Sequence, residues 1–133
     1  MVAVSRENVE LVRRVYERWA RGDFSQGDVF HPEVDFEMVD WPEQARARGV
    51  EAMRRRWQAA LGAWEDFRAE PDQFFETGPH VVVLNHVRAR GRGSGADVTA
   101  DTATVWTIAD GMVVRLALYW DVDRALETVG LRR

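Results

Sequence analysis

The sequence predicts an α+β domain, with helices concentrated in the first half of the chain and antiparallel strands in the second. Two observations carry this. Val9, Val12, Tyr16 and Trp19 recur at helical spacing near the N-terminus, as do Val50, Met53, Trp57, Ala60, Leu61 and Trp64 further on. In the last third the period changes to two: Val98, Ala100, Thr102, Thr104, Trp106 and Ile108 fall on one face of one run. Val114, Leu116, Leu118 and Trp120 do so in the next. Asp110-Gly111 lies between these runs and is a strong hairpin signal, because both central residues of a type I′ turn need positive φ.

Each element follows in order. Ser5 with Asn8 three residues on makes an imperfect capping box, and a helix runs from about Ser5 to Arg21, stopped by Gly22-Asp23-Phe24-Ser25. Ser25 to Phe30 has room for one helical turn, closed by His31-Pro32. Val34 to Val39 then alternates as a strand that Pro42 ends. Gly49 opens the second long helix, expected to reach about Trp64. Strands are expected from Phe67 to Glu76, interrupted by Pro71, and from His80 to Arg90, with Thr77-Gly78-Pro79 turning between them and Arg90 to Gly95 turning after. Asp121 stands at the N-cap position of a short helix over Val122 to Val129, with Gly130 as its stop. No repeat, linker or composition shift divides the chain, so residues 1–133 are read as one domain.

Composition narrows the function classes. A chain of 133 residues that is 46% apolar and 30% charged has enough material for one core. No apolar run approaches the ~20 residues of a membrane span, and Met1-Val2-Ala3-Val4-Ser5-Arg6 lacks the hydrophobic segment of a secretory leader, which predicts a cytoplasmic protein. Zero cysteines exclude disulfides and thiolate chemistry. A net charge of −4 argues against nucleic acid as a partner; Arg54-Arg55-Arg56 and the Arg88 to Gly95 run read instead as a solvated helix face and a turn. His31, His80 and His86 have no paired ligand spacing, so no metal site is expected. His86 should face outward with Arg88 and Arg90. No glycine-rich phosphate motif joins a strand to a helix, so no cofactor is expected either.

The order helix, strand, helix, then four antiparallel strands resembles the SnoaL-like branch of the nuclear transport factor 2-like superfamily. The likeness spans nearly the whole chain and is carried by Val12-Arg13-Arg14-Val15-Tyr16-Glu17 with Gly22-Asp23, Gly49-Val50-Glu51-Ala52-Met53, Gly91-Arg92-Gly93-Ser94-Gly95, and Val105-Trp106-Thr107-Ile108 with Asp110-Gly111. The resemblance implies a curved sheet wrapped around the long helices as a cone-shaped α+β barrel, an internal pocket, and a homodimer through the outer sheet face. It implies no single activity, since relatives include polyketide cyclases, ketosteroid isomerases and epoxide hydrolases. The cyclases' histidine and aspartate fall on Thr104 and Leu118. The epoxide hydrolases' Arg-x-Asp pair and aspartate fall near Asn85, Val87 and Leu118. Of the isomerase set, Tyr16 is one residue out of step, the base position is nearer Met38, and the later acid is replaced by Ala103 or Thr104.

The remaining candidates rest on strand faces. Phe36, Met38 and Asp40 share one, and if it is concave Asp40 reaches the pocket beside Trp41 as a general acid or base, its pKa raised by desolvation. The same aspartate is also a natural solvated residue of the Asp40-Trp41-Pro42 turn. Tyr16 either polarises a ligand carbonyl or packs in the core. Asn85 interrupts an apolar face between Val83 and Val87, so its amide is either paired to backbone or turned to the pocket. Trp19, Trp57, Trp64, Trp106 and Trp120 suit core packing or a flat ligand wall, and Thr102 and Thr104 orient a ligand without taking a proton. The expected site is therefore Asp40 and Tyr16 as the catalytic pair, with Trp19, Met38, Trp41, Trp57, Asn85, Thr102, Thr104, Trp106, Leu116 and Leu118 binding a small apolar molecule. Function is read as cofactor-free isomerisation, cyclisation or dehydration by proton transfer, or as non-catalytic ligand binding or dimerisation. A third reading, a protein-binding surface, needs an exposed apolar patch such as Leu84, Ala117 and Tyr119 would supply.

Overall fold

A six-stranded sheet and three helices make up the computed structural model, which describes residues 2–21, 29–41 and 45–132, with side chains from residue 7 onward. The order is α1 (Val2–Ala20), β1 (Phe30–Met38), β2 (Ala45–Arg48), α2 (Val50–Leu61), β3 (Trp64–Thr77), β4 (His80–Gly91), β5 (Asp97–Ala109), β6 (Met112–Tyr119) and α3 (Val122–Thr128). Across the sheet the strands lie β2-β1-β6-β5-β4-β3. All neighbours are antiparallel except β1 and β6, which run parallel, so the sheet is mixed and open at both edges. A parallel pair needs a long crossover, and everything from β2 to β5 supplies it.

Local chemistry explains most boundaries. The β5–β6 hairpin turns at Asp110 (φ 52°) and Gly111 (φ 76°), the left-handed pair its sequence called for. The Asp121 side chain accepts a hydrogen bond from the Arg124 N–H at 3.2 Å and starts α3. The helix closes with Leu131 N–H on Leu126 O and Gly130 N–H on Glu127 O, with Gly130 at φ 79°. Gly49 (φ 92°) precedes α2 and donates its N–H to Val34 O, tying the helix start to β1. Pro71 is exposed on β3, an edge strand, where its missing N–H costs no ladder bond on the outer side.

Several boundaries differ from the sequence reading. The first helix begins at Val2, ahead of the expected Ser5 cap. The second ends at Leu61 because Gly62 caps it, and Trp64 opens β3 instead of completing the helical stripe. His31 and Pro32 lie inside β1 at a register shift between Phe30 and Asp35. The strand β2, Ala-Arg-Ala-Arg, was not expected, since a four-residue charged edge strand has almost no apolar signature. Val113, not Val114, is buried beside Leu116, because the β5–β6 register shifts between Thr107 and Ile108. The break at Gly22, most of the turn over Ser25 to Phe30, and Pro42 lie outside the described residues.

Two apolar clusters cover the two faces of the sheet. On the concave face α1 and α2 pack Val12, Val15, Tyr16, Met53 and Ala60 against Phe36, Met38, Val81, Val83, Trp106, Leu116 and Leu118. On the other face α3 covers Val82, Ala103, Val105, Ala117 and Tyr119, with Leu84 packed alongside. Leu84, Ala117 and Tyr119 therefore do not form the exposed patch expected of a protein-binding surface; α3 lies on them. Burial from both sides makes residues 102 to 106 of β5 uniformly buried rather than alternating. Register shifts between Glu65 and Arg68, where Asp66 sits at φ 53°, and between Pro71 and Gln73 bend β3, as bulges do.

Candidate functional site

Between the two long helices and the concave sheet face lies a cavity of about 250 Å³. Its lining follows from which residues the elements turn inward. Tyr16 and Trp19 come from α1; Val50, Met53, Trp57 and Leu61 from α2; Phe36 from β1, with Trp41 just beyond it. Phe67 and Ala69 of β3, Asn85 and Val87 of β4, Thr102 to Thr104 of β5, and Leu116 and Leu118 of β6 complete it, with Arg54 and Gln58 of α2. The indole of Trp57 stands edge-on to Trp41 at 5.6 Å between centroids and to Phe67 at 5.8 Å, forming one aromatic wall. Tyr16 packs against Trp19 at 5.3 Å on another.

On the sheet side of this apolar space the polar groups gather at one place, apart from Arg54 and Gln58 on α2. The β4–β5 register sets Asn85 opposite Thr102 and Val83 opposite Thr104, so both threonines and Asn85 stand on adjacent strands. The Tyr16 hydroxyl lies 2.9 Å from Thr104 Oγ1, which also accepts the Trp106 indole N–H at 2.7 Å. Asn85 donates from Nδ2 to Val83 O at 3.3 Å, while its Oδ1 is buried with no donor. Burial pushes the Tyr16 phenol up from 10.0 to about 12, only partly offset by its Thr104, Asn85 and Trp106 neighbours, so it is neutral under physiological conditions. Arg54, the charged group in the lining, pairs with Glu51 across one helical turn at 3.7 Å.

The structure brings Tyr16, Trp19, Trp41, Trp57, Asn85, Thr102, Thr104, Leu116 and Leu118 together around one space. It does not bring Asp40 there. The parallel pairing of β1 with β6 carries Asp40 to the end of β6, where its two oxygens accept the N–H groups of Trp120 (2.7 Å) and Asp121 (3.0 Å). Its carboxylate thus ties the β6–α3 junction and is not part of the lining. Met38 and Trp106 are also outside the lining: each is at most 1% exposed in the core, and Trp106 acts on the cavity from behind, donating to Thr104 and packing against Tyr16 and Trp19. Trp120 stacks behind Trp41 at 5.0 Å. The expected site lacked Phe36, Val50, Met53, Leu61, Val87 and Ala103, which sequence reading treated as ordinary strand and helix residues, and also Arg54, Gln58, Phe67 and Ala69; the last two lie on a bulged edge strand whose alternation is broken. The histidines are scattered as their spacing implied. His31 accepts the Glu33 N–H, His80 pairs with Thr107, and His86 faces outward beside Asp101.

Comparison with known proteins agrees with this architecture. The chain superposes on a nuclear transport factor 2-like protein of unknown function from Burkholderia pseudomallei with a TM-score of 0.77 at 22% identity, covering 93% of this chain and 98% of that one. It matches TerC co-crystallised with polyporic acid with a TM-score of 0.74 at 21% identity, over 92% and 97% of the two chains. A protein of ketosteroid isomerase-like fold from Catenulispora acidiphila, in complex with trimethylamine, matches with a TM-score of 0.71 at 15% identity over 92% and 93%. No curated protein matches the sequence. The SnoaL-like domain profile matches residues 12–116, from the first buried valine of α1 to the cavity wall on β6, and the chain belongs to the SnoaL-like domain family.

Proposed function

We propose that the chain binds a small, flat, predominantly apolar molecule in the cavity between its helices and the concave sheet face. The observation that carries this reading is the lining itself: aromatic and aliphatic walls with one inner polar cluster, the usual composition of a small-molecule site. At about 250 Å³ the cavity lies just under the common range of roughly 300–1,000 Å³, which favours a ligand of one or two fused rings.

Binding is favoured over proton transfer. Among the described residues the lining holds no carboxylate or imidazole, and Tyr16 keeps its proton far above neutrality. The oxygens of Asp40, the base expected for a cofactor-free isomerase, cyclase or dehydratase, are occupied by backbone N–H groups. Tyr16 and Thr104 instead suit orientation of a ligand oxygen. The test is a thermal-shift screen of flat carbonyl compounds, epoxides and polyketide-like aromatics, with each hit incubated and analysed for product by chromatography. Saturable shifts without turnover support the binding reading; turnover retained in Tyr16→Phe and Asp40→Asn variants would place the chemistry on other residues. A flat screen removes the cavity as a binding site for these classes.

A further inference from the structure

The cavity is graded from its rim inward. Of its lining, Gln58 of α2 and Ala69 of β3 are exposed and Arg54 is half-buried, so the opening lies between α2 and β3. Arg54 and Gln58 stand one helical turn apart on its rim. The far wall, with Phe36, Asn85, Thr104 and Leu116, is buried.

The inner polar groups are neutral and largely occupied. Tyr16 and Thr104 hydrogen-bond to each other, and Thr104 also accepts the Trp106 N–H. Asn85 donates to Val83 O, while its Oδ1 and the indole nitrogens of Trp41 and Trp57 are closed even to water. Thr102 adds a hydroxyl that donates or accepts equally well and so selects neither charge. An ion carried to that depth would lose its hydration without gaining a counter-ion. The inner end therefore suits an apolar body.

The rim is different. Arg54 is the charged residue of the lining among the described residues, and Glu51 holds it loosely. Arg54 Nη1 and Glu51 Oε2 are 3.7 Å apart, beyond hydrogen-bond reach, and the Glu51 side chain is 74% exposed. An exposed pair of this kind competes weakly for a guanidinium, whose planar fork of donors matches a carboxylate. The neighbouring Gln58 amide can add a donor of its own. An aromatic wall of Trp41, Trp57 and Phe67 would by itself also suit a cation, but Arg54 repels one.

Resting on the reading of the cavity as a ligand site, we propose that its ligand is an amphiphilic carboxylate, with the apolar body in the interior and the carboxylate held at the rim by Arg54. Arg54 is then the residue that selects an anion over a neutral or cationic molecule of the same shape.

The test is equilibrium dialysis of the full chain at neutral pH against 2-naphthylacetate, 2-naphthylacetamide and 2-(2-naphthyl)ethylammonium, one ring system with a negative, a neutral and a positive end. The carboxylate should bind at least about tenfold more tightly than the amide, and the ammonium most weakly. In Arg54→Gln the carboxylate advantage disappears while amide affinity is kept. Arg55→Gln, on the same helix but outside the lining, retains that advantage. Equal affinity of wild type for carboxylate and amide, or preference for the ammonium, overturns the proposal and leaves the apolar cavity reading intact. A carboxylate preference that survives Arg54→Gln, or that Arg55→Gln abolishes equally, also overturns it, by assigning the preference to the general surface field. Failure of all three to bind overturns the cavity reading and the proposal together. The wild-type comparison stands by itself if a variant does not fold.

Discussion

Burial holds the Tyr16 phenol protonated to about pH 12, and this ties stability to alkaline pH in a direction that can be worked out. The unfolded phenol releases its proton near 10.0, so between that pH and about 12 the folded state binds more protons than the unfolded one. The stabilisation is complete below pH 10 and is lost as pH rises through the folded value. Unfolding free energy should fall by up to about 1.4 kcal/mol per pH unit in that window, relative to Tyr16→Phe, in urea titrations of both proteins. Asp40 carries a different expectation. Removing its carboxylate leaves the Trp120 and Asp121 N–H groups without their acceptors, so Asp40→Ala should cost about 1–3 kcal/mol of stability and leave cavity ligand affinity unchanged. A calorimetric melt and one binding isotherm check both halves.

At the scale of elements, α3 has the largest consequence for its size. Seven residues cover Val82, Val105, Ala117 and Tyr119 on the sheet face away from the cavity, and Ala103, which touches both. A chain ended at Trp120 should expose that surface, bind a hydrophobic dye and elute from size exclusion as larger species; a monomeric, dye-silent truncation would show that α3 is dispensable. The β4–β5 turn acts on its neighbours in a comparable way. Arg92, in a run that composition alone would leave as a solvated turn, donates to Gly62 O at 2.9 Å and Trp64 O at 3.2 Å and so joins the end of α2 to the start of β3. On the outer face Arg115 of β6 bridges Asp35 and Glu37 of β1, lacing the parallel pair; partial burial disfavours its charge, and the two carboxylates together outweigh this and hold its guanidinium proton more firmly.

For the whole molecule, the cavity makes stability depend on ligand. A molecule that binds only the folded state at a hundredfold excess over Kd adds about 2.7 kcal/mol, which for a domain of this size is a Tm increase on the order of 10 °C. The fold that encloses the cavity depends on contacts far apart in sequence. Residues 36–38 of β1 pair with residues 116–118 of β6, a distant closure that brings Phe36, Leu116 and Leu118 to the same wall. Topologies of this kind fold more slowly than locally connected ones.

Much of this was legible in the chain because its causes are local. The helical stripes of α1 and α2, the alternation of β4 to β6, the Asp110-Gly111 turn and the Asp121 cap each depend on residues a few positions apart. Asn85 could be singled out because a polar residue broke an apolar series on its own strand. Asp40 could not be assigned from its strand face, since its hydrogen-bond donors lie eighty residues away at the end of β6. The charged strand β2 carries no apolar pattern and exists by pairing with β1. Periodicity and backbone preference are properties of neighbours and survive in the sequence. Which face is covered by α3, which strand lies parallel, and which side chains share the cavity are properties of segments that meet only when the chain is folded.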